Sequence, residues 1–572
     1  MFNNIFSFRP FLSPPHGAGL DHIYRSRAMW ALALLTITGI IIRCYGGIFE
    51  PYVLYFGQDD YGHLKFSGYK PPARISTDLI DIFFASYRDA HPPLRNIVLN
   101  LILRISDNLY YARFVAIIPG VLLILAMFYL GLSVCRDAPA KYRYIASIFC
   151  AFMVAVMSPM VLWSIETRPY MLMLLFQVGA LICLLQYARS YSLRWLTGFF
   201  CCALLSIFSD YSVVISIGIY TLIVLYISCK RPCPRRLLIM SLIGGAILMA
   251  CMLFQYWQMQ HFGTFDNMTG ETQHRYIASN YMDHIQDIPK HFFAFFQLFV
   301  QGVSSTYKPI ASSFIGILYL CGLWLLYRRK SYALLIISGL PIILAFILAY
   351  SKLFPFGNTR HCLYLMPSVA IALLSVGRTY AESRFCRYPK TLLLVLSTAV
   401  LAAQGIFNTP EDYYEQFTSR IYYHTSPISE QGFADLSKRL IWQQARGDRL
   451  LMVDRMIQRR LGYYRPLSKL NRRMMCNNDI DCIRSTPLPR RWKKNKKTCI
   501  ISDRRWRKGI KWQKDIKRCI HKKEENAHKR IVIMAMHYNE KRTRKTFASM
   551  GYKKPLKVHR GNGWTMMVYK RR

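Results

Sequence analysis

The sequence predicts a mainly α protein: a polytopic membrane helical bundle of about eleven transmembrane helices, with interfacial helices and a small C-terminal α/β extramembrane domain. Three observations lead there. Of the 572 residues, 53% are hydrophobic and 14% aromatic. Apolar runs of about 20 residues, the length that crosses a hydrocarbon core, recur through the first two-thirds of the chain. The formal net charge of +45 is placed unevenly, with 41 Lys and Arg against 11 Asp and Glu in residues 430–572. So much base on a soluble chain would point to nucleic acid. Here the apolar runs exclude a soluble enzyme, and the basic tail marks off a second domain.

Hydropathy and basic flanks place the spans near 28–47, 110–134, 144–163, 167–188, 195–209, 211–229, 237–258, 309–327, 332–350, 361–377 and 391–407. The first apolar run lies behind a polar start and lacks a small-residue cleavage site, so it is expected to stay as an anchor rather than leave as a signal peptide. The predicted organisation is a cytoplasmic N-terminus over 1–27, a transmembrane domain over 28–408 with an outer loop at 48–109, a linker over 409–429 and the basic domain over 430–572. Residues 91–108, HPPLRNIVLNLILRISDN, are short for a span. Asn96, Asn100 and Arg104 recur every four residues there and put a polar stripe on one helix face. That pattern predicts a helix lying in the interface, as does the aromatic run HFFAFFQLFV at 291–300.

Orientation follows from the short loops. Those near 135–143, 189–194, 229–236, 328–330 and 378–390 hold 16 Lys and Arg against Asp137 and Glu382, so they face the cytoplasm. The longer stretches on the other side carry no such excess until the C-terminal domain, and long domains cross largely regardless of charge. The predicted location is the inner membrane, multi-pass, with the C-terminal domain in the periplasm.

This topology brings several polar motifs to one outer boundary: Asp59 and Asp60 in YFGQDDYGH, His91, SIETRPY with Glu166 and Arg168, Asp210, and GNTRH with Arg360 and His361. Charge beside hydrocarbon is expensive, so its repetition at one boundary suggests a polar cavity with a function. Plainer readings stand beside this one. Asp210 fits a solvated loop residue, His91 the start of a helix ahead of two prolines, and Arg360 an interfacial anchor. Positions two apart on a helix do not face each other, so Glu166 and Arg168 need either an extended turn or separate partners.

The order of the acidic doublet, HPPL with its short helix, ARFVAIIPG at 112–120, SPMVLWSIETRPYMLMLLF at 158–176 and PFGNTRHCLYLMPSVAIALLS at 355–375 resembles the GT-C superfamily of membrane glycosyltransferases. The resemblance is greatest to the bacterial branch similar to dolichyl-phosphate-mannose protein O-mannosyltransferases and the lipid A aminoarabinose transferase. It covers roughly the first 400 residues. It implies a GT-C fold and the inverting transfer of a sugar from a polyprenyl-phosphate donor to a cell-envelope acceptor at a periplasmic active site. It also implies that Asp59 is the general base, with Asp60 beside it in a less defined role. Glu166 would orient the acceptor or join Asp59 around a divalent ion (Mg, Mn or Zn). Arg168 and Arg360, with His91 and His361, would hold the donor phosphate. A metal is left open, and Asp59 and Glu166 are its candidate ligands.

In the basic domain, strand-length apolar runs at 449–453, 498–502, 531–536 and 565–569 predict a short sheet, and 540–550 a helix stopped by Gly551. Cys476, Cys482, Cys499 and Cys519 suggest two disulfides in any of three pairings, whereas zinc lacks the paired C-x-x-C units it would need. Tryptophans interleave with base at 490–518. On the outer side this pattern suits an anionic lipid or glycan acceptor and membrane lipids rather than nucleic acid, and equally suits a solvated basic face. Two rival functions remain, a lipid-linked-sugar flippase or transporter, and a non-catalytic scaffold. The first should place ionisable residues or broken helices near the bilayer midplane. The second should not need Asp59 and Glu166.

Overall fold

The computed structural model describes residues 18–44, 79–87, 92–105, 109–230, 234–261, 282, 284–300, 308–351, 353–357 and 359–382, together with the strands at 69–70, 74–75, 449–454, 498–501, 530–536, 557–561 and 564–570. The chain divides into two compact units, one of residues 1–49 and 76–409, the other of residues 50–75 and 410–572.

The first unit is helical: α1 Ala18–Cys44, α2 Leu79–Tyr87, α3 Pro93–Ile105, α4 Phe114–Val134, α5 Ala140–Val156, α6 Ser158–Ile165, α7 Tyr170–Ser190, α8 Leu193–Ile207, α9 Val214–Lys230, α10 Arg235–His261, α11 Ile288–Phe296, α12 Lys308–Arg328, α13 Tyr332–Tyr350 and α14 Met366–Glu382. Among the described residues eight helices are long and apolar enough to cross a membrane, nine if α5 and α6 form one bent span. Every sequence-predicted span but one therefore falls on a helix; the last, 391–407, lies outside the described residues. α8, at 15 residues, is the short one.

Burial sorts these helices into an interior and a rim. Within the apolar windows of α7 and α10, 67% and 17% of residues respectively are buried. α10, hydrophobic all round yet largely uncovered, has the surface of a lipid-facing helix. Interior helices come close because small residues line their contacts. A Cβ on Gly322 of α12 would run into the Ala372 carbonyl of α14, so only glycine permits that crossing.

Residues 291–300 fold as α11 and a short 3₁₀ turn at Gln297–Val300. Phe295, Phe296 and Phe299 are buried, and Phe292 and Phe296 lie against Tyr319 of α12 at centroid distances of 6.3 and 5.5 Å. In α3 the predicted polar stripe is turned inward at Asn96 and Asn100, whereas Arg104 at its end is exposed. Arg95, Asn96 and Asn100 are buried, while Leu101 and Ile105 are exposed. Asn96 donates to Ser86 Oγ of α2 at 2.8 Å, and Arg104 to Asn100 Oδ1 at 2.8 Å. In an apolar medium a polar stripe gains by facing protein.

The second unit contains a five-stranded sheet of order β4-β3-β5-β7-β6, with β3 Arg449–Asp454, β4 Thr498–Ile501, β5 Arg530–Met536, β6 Lys557–Gly561 and β7 Trp564–Lys570. β4, β3 and β5 run parallel, whereas β7 is antiparallel to β5 and β6. A two-stranded ladder, β1 Tyr69–Lys70 with β2 Arg74–Ile75, belongs to the same unit. The four predicted strands are present, and β6 is an addition. Cys499 lies on β4 opposite Met452. Cys476, Cys482, Cys519 and the predicted helix at 540–550 lie outside the described residues.

Candidate active site

The site begins at a break in a span. α5 ends at Val156, and α6 leaves at 52° to it through Met157, whose backbone is extended. Pro159 in the first turn of α6 supplies a stop signal, since it has no N–H to continue the ladder of α5. The break leaves carbonyls of α5 without helical partners, and Arg43 of α1 takes them. Its guanidinium donates to Val154 O at 2.7 Å and Ala155 O at 3.1 Å, fully buried. Gly120 of α4 opposes Ser164 and Arg43, leaving room for both only because it has no side chain.

α6 then delivers Trp163 and Glu166. Glu166 is extended (φ −90°, ψ 149°), and the Arg168 N–H donates to its carbonyl at 2.7 Å. This tight turn sets the Glu166 carboxylate 3.7 Å from Arg168 Nε, with Arg168 2% and Glu166 12% exposed. The extended turn that the sequence allowed for this pair is present. Pro169 then leads into α7 at Tyr170.

A second loop arrives about two hundred residues later. Gly357 has φ 137°, a region that favours glycine, and Thr359 caps the 3₁₀ helix Arg360–Leu365 by accepting from the His361 N–H at 3.4 Å. Arg360 lies over the Trp163 ring, its Cζ 5.7 Å from the centroid, a contact worth on the order of 2 kcal/mol when desolvated. Tyr170 stands edge-on to both Trp163 and His361, at centroid distances of 5.1 and 6.4 Å. Arg168 and Arg360 both act electrostatically on His361.

Two further loops close the group. Asp210 is not a solvated loop acid. It is partly buried, accepts from the Ser212 N–H at 2.9 Å and from Ser212 Oγ at 2.6 Å, and is faced by Arg360 and Arg95. Burial pushes its carboxyl above the usual aspartate range, opposed by Ser212 and the two guanidinium groups. Arg95 is buried at the start of α3 and reaches the Thr167 carbonyl at 3.4 Å, while the Leu94 N–H donates to Phe208 O at 3.0 Å.

The structure thus brings together Glu166, Arg168, Arg360 and His361. Asp59, Asp60 and His91 lie outside the described residues. Sequence reasoning missed Arg95, Arg43 and Trp163. Arg95 carried a signal, an arginine directly after HPPL at the start of an amphipathic helix. Arg43 at the end of an apolar run looked like an ordinary flank. Among the described residues no three His, Cys, Asp or Glu side chains converge as a metal site. Of the two carboxylates in this group, Glu166 pairs with Arg168 and Asp210 is held by Ser212.

No protein-family model matches the chain, and no curated protein matches it. Several solved structures are similar. The oligosaccharyltransferase of Archaeoglobus fulgidus tethered with an acceptor peptide containing the NVT sequon is 14% identical with a TM-score of 0.39, over 73% of this chain and 57% of that one. The same organism's enzyme in complex with Zn and sulfate is 15% identical with a TM-score of 0.37, over 73% and 55%. The archaeal oligosaccharyltransferase AglB with an inhibitory peptide and a dolichol-phosphate is 12% identical with a TM-score of 0.41, over 89% and 69%. The chain thus spans little more than half the length of the first two. The functional assignment rests on its own residues.

Proposed function

We propose that this protein is a GT-C type membrane glycosyltransferase that moves a sugar, with inversion, from a polyprenyl-phosphate donor to a lipid, glycan or protein of the cell envelope, on the periplasmic side of the inner membrane. The observation that carries the proposal is the meeting of Arg168 and Arg360 around Trp163, Tyr170 and His361 at the end of spanning helices. A polyprenyl chain stays in hydrocarbon while its phosphate lies at the interface, and two guanidinium groups held at that level can grip its oxygens.

In this mechanism the acceptor hydroxyl gives its proton to Asp59 as its oxygen attacks the sugar's anomeric carbon. The bond from that carbon to the phosphate oxygen breaks, and the charge left on the polyprenyl phosphate is met by Arg168 and Arg360. His91 and His361 add hydrogen bonds to the phosphate, and Asp60 supports Asp59. Glu166, held by Arg168, orients the acceptor. Asp210 positions Arg95 and Arg360 by charge. If a divalent ion is used, Asp59 and Glu166 would hold it, and it would supply positive charge to the same phosphate.

The buried arginine and lysine side chains among the described residues, Arg43, Arg95, Arg113, Arg168 and Lys308, all lie at or just beyond helix ends. This favours chemistry at a boundary over a translocation path through the midplane. The test is mass spectrometry of envelope lipids and glycans from cells with wild-type protein, no protein, Asp59→Asn or Glu166→Gln at equal expression. The proposal expects one acceptor to lose its sugar, with the polyprenyl donor accumulating, in the null and both variants. Wild-type profiles from both variants beside an altered null would instead favour transport or scaffolding.

A further inference from the structure

The sheet of the second unit places residues with soft ligand atoms side by side. β7 is antiparallel to both β5 and β6, and the register sets Met534 opposite Met566 and Met566 opposite His559. Directly opposed residues of antiparallel strands share a face of the sheet, with Cβ atoms about 5 Å apart. These three therefore form one row across three neighbouring strands, with Met566 in the middle. Val453 and Ile500 continue the row on β3 and β4, so it contains no carboxylate and no thiol. Met536 and Trp564 are the next opposed pair on that face, since alternate residues of a strand share a side.

Two features set this row apart from ordinary packing. β5 and β7 each hold two methionines in seven residues, whereas the whole chain has 24 in 572. Sheets are built by preference from branched and aromatic side chains, so packing alone does not account for this concentration. The register is also well specified. The Asn-Gly pair between β6 and β7 is the sequence of a tight two-residue hairpin loop, which fixes His559 against Met566.

We propose that Met534, Met566 and His559 form a binding site for a soft monovalent metal ion, Cu(I). Calcium and magnesium take oxygen ligands, and zinc is held by thiolate, imidazole and carboxylate. Two thioethers with one imidazole suit Cu(I), because soft sulfur selects soft metal. Neighbouring strands are about 4.8 Å apart, a spacing that unbranched methionine side chains can bridge to meet one ion. An aromatic residue on the same face adds attraction for a cation.

The test is anaerobic titration of the purified full chain in micelles, its thiols first blocked with N-ethylmaleimide, with Cu(I) in competition with bicinchoninate. Wild type is expected to retain one Cu(I) through this row. Met534→Leu with Met566→Leu, a swap that conserves volume, should weaken that retention at least about a hundredfold, the most that loss of an outer-shell partner costs. His559→Gln should weaken it as well. Met452→Leu with Met567→Leu, on the opposite face of the same sheet, should match wild type. Wild-type sequence produced with selenomethionine should show selenium neighbours of the copper in its X-ray absorption spectrum. Failure of wild type to retain Cu(I) overturns the proposal, as does undiminished retention by the first Leu pair, equal loss in the opposite-face pair, or a spectrum without selenium neighbours. The selenium measurement needs no variant and decides even if the Leu pair fails to fold.

Discussion

At the end of the bundle that carries Glu166 and Asp210, Arg95 and Arg168 are buried, Arg168 lies beside the Glu166 carboxylate and Arg360 lies over an aromatic ring. At the other end Arg136, Asp137 and Arg328 are exposed. The first arrangement fixes each cation in one geometry. The second leaves its charged groups at the surface. Preorganised charge is what a departing phosphate needs, because no reorganisation is left to do when the bond breaks. Exposed basic side chains suit a membrane surface.

The sharpest way to break this contrast is to neutralise one arginine at each end. Arg360→Gln is expected to cut sugar transfer by about a hundredfold or more, whereas Arg194→Gln at the other end stays within about twofold. Transfer to the envelope acceptor, measured at matched expression, decides between them, and equal losses would erase the distinction. Next in size is Arg43→Met, which leaves the Val154 and Ala155 carbonyls unpartnered. It should cost about 2 to 3 kcal/mol of stability, read as a lower melting temperature of the full chain in micelles. Trp163→Leu removes the ring beneath Arg360. It should slow transfer roughly tenfold and, because Trp163 is fully buried, also lower the melting temperature.

The smallest effect concerns Asp210. Burial raises its folded pKa above the unfolded one, so the folded state binds the extra proton. Its contribution to stability is complete below the ordinary aspartate pKa and is lost as pH rises through the raised value. Asp210→Asn, whose oxygen can still accept from Ser212, should flatten that part of the pH–stability profile. A slope identical to wild type would place Asp210 in open solvent.

Much of this was legible in the sequence. The spans follow from apolar length, and the extended Glu166–Arg168 turn was one of the two readings that their spacing allowed, the other being separate partners. What stayed hidden depended on direction and partners. The stripe of Asn96 and Asn100 was visible, but only packing against Ser86 shows that it faces inward. Asp210 looked solvated because one acid after an apolar run says nothing of arginines arriving from residues 95 and 360. β6 escaped notice because KVHRG has almost no apolar pattern, although the Asn-Gly pair that follows it is a hairpin signal. Trp163 sat inside an apolar helix, where an aromatic residue gives no hint of a cation above it.

The most direct test of the transfer site is binding of polyprenyl phosphate, compared with the corresponding polyprenol, to the purified full chain and its Arg168→Gln and Arg360→Gln variants. The account predicts that wild type prefers the phosphate and that each variant loses most of that preference while still binding the alcohol. Equal affinity of wild type for phosphate and alcohol, or a preference unchanged in both variants, would contradict it.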